Sequence, residues 1–300
     1  MTGRRNLPAV SKKPIFILGL GIQKCGTTWL HRHLCAHPTS QLGANYNKEL
    51  NLASNGYRRA EPIWRRPKAW WLKRKCLKIH RQHLASGETG DFHRPMLGMD
   101  RLQLNLDFAA SGAHNVLFLR HARQGFVGDV SPDYAVASEE SLRTLRHALE
   151  VDFDVRTFVI WRDPVNRLES ALRHTQRDGL EDAEASLLHF AATGERKSWA
   201  WNSDYEGAAC RLDSVFPEAM PLVYEELFGP SGQTQLDLLH DHLGIASIPG
   251  IFGQAFNAAE PDQPALSPEL RASARAHLDR QYEVMAERLG RARLASIWNF

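Results

Sequence analysis

The chain has 300 residues, 43% hydrophobic and 24% charged, with a formal net charge of +3 and a pI near 8.7. That is the composition of an ordinary folded protein; it excludes a disordered or fibrous chain and is too mildly basic to imply nucleic acid. It shows no apolar run of about 18 residues, so no membrane span is expected, and its four cysteines (Cys25, Cys35, Cys76, Cys210) lack metal-ligand spacing, which favours a reducing compartment.

Residues 1–13 are polar and basic with no apolar signal core; they are expected to be flexible and the protein cytoplasmic. Ile15 to Leu20 is apolar and β-branched, short enough for a buried parallel strand. Gly21-Ile22-Gln23-Lys24-Cys25-Gly26 follows as a glycine-bounded loop. Thr27 and Thr28 then open a helix carrying Trp29, Leu30, His33 and Leu34. A strand, a glycine loop and a helix N-terminus together form an anion site, because the first helical N–H groups have no intrahelical partner. The loop is not a nucleoside-triphosphate loop of the form G-x-x-x-x-G-K-[ST]. Gly21 and Gly26 keep that spacing, but Thr27 stands where the lysine belongs and Lys24 lies inside the loop.

Ser40 to Ala44 reads as a second short strand. Residues 58–81 hold ten Lys/Arg against one acid, with Trp64, Trp70 and Trp71 interleaved. They read equally as an acceptor-contacting surface or as an amphipathic helix with a solvated basic face. Phe126 to Val130 reads as a strand leading into Ser131-Pro132-Asp133-Tyr134, and Ser138 as a helix start. Arg156 to Trp161 is an apolar strand, and Asp163-Pro164 starts the next helix. Helices are expected over Glu181 to Ala192, Tyr205 to Val215 and Gln233 to Leu243, the last stopped by Gly244. Met220 to Tyr224 reads as a strand, and Ser267-Pro268 begins a long helix ending near Gly290. Strands alternating with helices predict an α/β fold: three layers, with a central, mostly parallel sheet between helices and a P-loop-like site at the carboxyl ends of the strands. The chain is read as one domain over 1–300, with 50–125 inserted beside the sheet.

A second constellation follows the strand at Trp161: Arg162-Asp163-Pro164-Val165-Asn166-Arg167-Leu168-Glu169-Ser170. A guanidinium and a hydroxyl two helical turns apart suit a second oxyanion. On its own this run reads more readily as a capped helix with surface arginines.

Taken together the two segments resemble a family. Gln23-Lys24-Cys25-Gly26-Thr27-Thr28-Trp29 is similar to the 5′-phosphosulfate loop P-K-[SA]-G-T-T-W of PAPS-dependent sulfotransferases, with Gln23 for Pro and Cys25 for Ser or Ala. Arg162 to Ser170 is similar to their 3′-phosphate segment. Asp129 to Tyr134 and Leu222 to Leu227 also resemble family segments. The likeness is closer to the glycan and bacterial branches than to the small-phenol branch. It implies PAPS (3′-phosphoadenosine 5′-phosphosulfate) as donor, PAP as product, and no required metal. Gln23, Lys24, Cys25, Gly26, Thr27, Thr28 and Trp29 would hold the 5′-phosphate, and Arg162 and Ser170 the 3′-phosphate. Lys24 would stabilise the leaving phosphate. Glu49, after Lys48, is the implied general base, with His121 as runner-up and His93 behind it. The acceptor would be a glycan, glycolipid or small metabolite, met in part by residues 50–125, with no nucleic acid involved. A P-loop kinase and a non-catalytic polyanion-binding protein are the competing readings, and oligomeric state is not readable.

Overall fold

A computed structural model describes residues 13–42, 49, 52, 122, 125–253 and 266–298. Its centre is a four-stranded sheet of β1 (Ile15–Gly19), β2 (Val127–Val130), β3 (Asp154–Trp161) and β4 (Met220–Val223), in the order β2-β1-β3-β4. Every pairing is parallel; Leu18 lies opposite Asp129 on one side and Thr157 on the other. Phe16, Ile17 and Leu18 are all fully buried, as expected for a strand covered on both faces. Ser40 adds a single parallel bridge to Phe126 at the outer side of β2. It is the first residue of the strand expected over Ser40 to Ala44; residues 43–48 lie outside the described set.

Among the described residues the helices are α1 (Thr27–Cys35), α2 (Glu139–Glu150), α3 (Pro164–Arg177), α4 (Glu181–Thr193), α5 (Tyr205–Val215), α6 (Tyr224–Leu227), α7 (Gly232–Leu243), α8 (Pro268–His277), α9 (Asp279–Leu289) and α10 (Arg291–Ala295). Single 3₁₀ turns occupy Pro132–Val136 and Ser198–Ser203. The expected α/β architecture, a parallel sheet flanked by helices, is what the chain adopts. Among the described residues no helix is long and apolar enough to cross a membrane.

Two elements differ from the sequence reading. The long C-terminal helix breaks at Leu278, which sits at φ −96, ψ 0 without a glycine or proline to cause it. The break lets two faces be buried in different directions. α8 packs on α3 and α4, while α9 packs on α5, and Ala274, Leu278, Tyr282 and Met285 are all fully buried. The strand expected to reach Tyr224 ends at Val223, and Tyr224 opens α6 instead.

Asp163 ties the N-terminus of α3 to this C-terminal segment. Its Oδ1 accepts from Asn166 N at 2.8 Å as the helix cap, and its Oδ2 accepts from the Tyr282 hydroxyl at 2.9 Å. Asp163→Ala is expected to lower unfolding free energy by about 2–4 kcal/mol, from the lost cap and the orphaned buried hydroxyl. Asp163→Asn keeps one acceptor for the cap, and its amide N–H can donate to the Tyr282 hydroxyl oxygen, so it is expected to lose less. Urea unfolding of the two variants measures the difference, and equal midpoints would contradict this account.

Candidate active site

Beyond β1 the chain runs on beside β3. Leu20 N donates to Phe158 O at 2.8 Å, Ile22 N to Ile160 O at 3.2 Å, and Ile160 N to Gly21 O at 3.1 Å. It then turns sharply, with Cys25 N on Ile22 O at 3.2 Å. Lys24 and Gly26 take left-handed backbone conformations, φ 69 and φ 86. Gly26 is also a packing requirement: a Cβ there would lie 2.9 Å from Phe228 Cε2 and 3.2 Å from the Tyr224 ring. α1 starts from this glycine with no side-chain cap and no acid in its first turn. By contrast Ser138, Asp163, Asp204 and Ser267 cap α2, α3, α5 and α8.

Arg162 leaves β3 beside the loop. Its Nη1 donates to the Lys24 carbonyl at 2.9 Å, and its guanidinium lies 4.1 Å from the centroid of the Tyr224 ring. The Tyr205 hydroxyl donates to Arg162 O at 2.8 Å. Beneath the loop Cys25 is fully buried, and burial pushes its thiol up to about 12 while Arg167 and Arg162 pull the other way. Arg167 is also fully buried; Nη2 donates to Ser203 Oγ at 2.5 Å. Burial lowers its pKa. Arg162 Nε and Arg167 Nε and Nη1 are buried without an acceptor. Of the two guanidinium groups, Arg162 is half-buried beside the loop and open to an oxyanion, whereas Arg167 is enclosed beneath it.

A second arm comes from β2. Asp129 Oδ2 accepts from Ser131 Oγ at 2.6 Å and from the Tyr134 hydroxyl at 2.5 Å. Burial, with the Asp129 charge beside it, holds Tyr134 well above the usual phenol range. The same hydroxyl accepts from Leu52 N at 3.1 Å. This fixes the chain three residues after Glu49, itself in the left-handed region at φ 65. His174, on α3, has Asp178 Oδ2 at 3.2 Å and Arg177 Nη2 at 3.0 Å. Burial and then Lys24 lower its pKa, whereas Asp178 and Glu49 raise it. Lys24, Glu49 and His174 thus share one electrostatic neighbourhood.

The sulfotransferase from Alicyclobacillus acidocaldarius has a solved structure that overlaps 93% of this chain and 96% of its own, with a TM-score of 0.54 and 19% sequence identity. The chain has the sulfotransferase fold. Two other structures overlap less closely: the sulfotransferase domain of the Synechococcus PCC 7002 olefin synthase (TM-score 0.49, 15% identity, 93% of this chain and 98% of that one) and that of the curacin biosynthetic pathway (0.46, 16%, 86% and 84%). No protein-family model and no curated protein matches the sequence.

On this sulfotransferase fold Gln23 to Trp29, Arg162 and the start of α3 meet at the carboxyl ends of β1 and β3. Gln23, Lys24 and Thr28 are half-buried and Thr27 and Trp29 buried. Ser170 is half-buried on α3. Glu49 enters the neighbourhood of Lys24 through His174. Lys48, His93, His121 and the basic stretch 58–81 lie outside the described residues. Sequence reasoning aimed Arg162 at a second phosphate and did not foresee its bond to the loop carbonyl. It also passed over His174, whose only signal was its position one helical turn after Ser170.

Proposed function

We propose that this protein transfers a sulfuryl group from PAPS to a hydroxyl or amine of an acceptor. The observation that carries the reading is the bond from Arg162 to the Lys24 carbonyl. It joins the two motifs that each suit one phosphate of a 3′,5′-bisphosphate. The uncapped start of α1 and the Arg162 guanidinium beside it fit such a ligand.

In this reading the Gly26 to Trp29 amides and the two threonine hydroxyls hold the 5′-phosphate. Arg162 and Ser170 hold the 3′-phosphate. Lys24 neutralises the bridging oxygen as its bond to sulfur breaks. Glu49 takes the proton from the acceptor hydroxyl as the new O–S bond forms in line with the old one, and PAP leaves. With the charge met by Lys24, the arginines and the α1 amides, no step calls for a metal. Residues 50–125, read as an insertion within a single domain, are proposed to meet the acceptor, a glycan, glycolipid or small metabolite.

Thermal unfolding with added ligands tests the donor. PAP at about 100 times its Kd is expected to stabilise by ~2.7 kcal/mol, and ATP-Mg²⁺ and heparin much less. Arg162→Ala is expected to abolish most of the PAP shift. Stabilisation by ATP-Mg²⁺ but not PAP would favour a kinase. Stabilisation by heparin alone would favour a polyanion-binding protein.

A further inference from the structure

Two buried imidazoles join α1 to α7. His33 lies in the last turn of α1 and His240 in the last turn of α7, and both are fully buried. Their Nε2 atoms are 3.0 Å apart, and their rings stack with centroids 5.1 Å apart. His240 Nδ1 lies 3.4 Å from Ser247 Oγ, and Ser247 donates to Asp237 Oδ1 at the exposed side of α7. On its other side His33 lies flat against Trp29, with centroids 5.4 Å apart and planes within 3°. Trp29 belongs to the first turn of α1 and is held further by Phe252 at 5.1 Å and Phe228 at 5.0 Å.

The hydrogens along this row have one satisfactory arrangement. His33 Nδ1 is buried without a partner, so a proton there would be orphaned. The His33 proton is therefore assigned to Nε2, donating to His240 Nε2. The His240 proton then sits on Nδ1 toward Ser247, and the serine hydrogen goes to the Asp237 carboxylate. A further proton finds no place. On His33 Nδ1 it lacks an acceptor; on His240 it sets two N–H groups against each other.

We infer that the His33–His240 pair is a pH-sensitive clasp: closed while both rings are neutral, it holds α1 on α7 and Trp29 at the donor loop, and protonation opens it and weakens donor binding. The donor half of this inference rests on the function proposed above. Among the described residues the titratable groups facing the pair are His37 and Asp237. His37 is held by the Ala246 carbonyl at 3.0 Å and by Thr39 N at 3.2 Å. Burial, with His240 and His37 beside it, lowers His33 from 6.5 to about 4. Burial and His37 lower His240, against the pull of Asp237. A group with a depressed pKa in the closed form favours opening as pH falls below its ordinary value. For the His33 values the opening equilibrium rises about 30-fold between pH 7.5 and pH 5.

The test is amide hydrogen exchange on the full chain at both pH values, corrected for intrinsic rates, with α5 as internal reference. Expected is a loss of protection of about 30-fold in α1 and α7 at pH 5 relative to α5, with far-ultraviolet circular dichroism unchanged. The His33→Phe/His240→Leu double variant is expected to remove that difference. Because the phosphates of PAP titrate near pH 6, its affinity is compared between wild type and double variant at each pH. The wild type is expected to lose affinity more steeply. If α1 protection tracks α5 at both pH values, the clasp is overturned, and this holds even where the double variant does not fold. If α1 opens at pH 5 but PAP binds at neither pH, the clasp stands and the donor reading falls.

Discussion

Lys24→Ala is expected to lower kcat for sulfuryl transfer by about 10²–10³, the usual loss when one group stabilising a developing oxyanion is removed. Donor binding is expected to survive. The loop shape depends on the Lys24 backbone, whose carbonyl accepts from Arg162 and whose φ of 69 is imposed by the turn. Alanine meets the same left-handed penalty as lysine, so little change in loop stability is expected. The loss therefore belongs to the transition state, and should appear as a fall in kcat with a PAP Kd changed only a few-fold. Single-turnover rates with ³⁵S-labelled PAPS, beside calorimetric PAP binding, separate the two. Equal losses in PAP affinity and in turnover would make Lys24 an anchor for the phosphate and remove it from the chemistry.

Glu49→Gln is expected to lower kcat by about 10²–10⁴, the range for a general base, with PAP affinity unchanged. The substitution keeps shape and removes only the proton acceptor. Glu49 holds φ 65, a conformation that non-glycine residues adopt at a cost of about 1–2 kcal/mol. Among the described residues only Lys24 shares that property. The segment is kept in place by the Leu52 amide on Tyr134 and by Tyr134 on Asp129. A fully active variant would remove Glu49 as base.

The sheet and the helices beside it were legible because each carries its own punctuation. Ser138, Asp163 and Ser267 cap helices where their sequence neighbours said they would, and Gly244 ends α7 in the left-handed region at φ 70. The break at Leu278 was not legible, because nothing local causes it; it is set by which partners α8 and α9 must cover. The helical turn at Tyr224 is similar, since Glu225 is held by Asp163 N at 3.1 Å and Trp298 Nε1 at 2.8 Å, from distant parts of the chain. At the site, the glycine-bounded turn into the start of α1 was legible, because it is a local pattern. The deep burial of Arg167 and the neighbourhood of His174 were not announced. Both depend on how α3 and α5 seat against the loop, and a side chain's neighbours across a fold leave no spacing to read.

The position of β1 has a consequence during synthesis. It leaves the ribosome before β2 and β3, yet it lies between them, and β3 ends only at Trp161. Until that residue has emerged, the apolar run Ile15 to Leu20 lacks at least one of its two lateral partners. Closing such separations is slow, and an unpaired apolar strand meanwhile invites association with other chains. The nascent chain therefore carries an incompletely paired apolar strand until β3 has emerged, a period in which a holding chaperone has a defined stretch to shield. The glycine-bounded loop that follows the strand, hydrogen-bonded to β3, acquires its shape only when that wait ends.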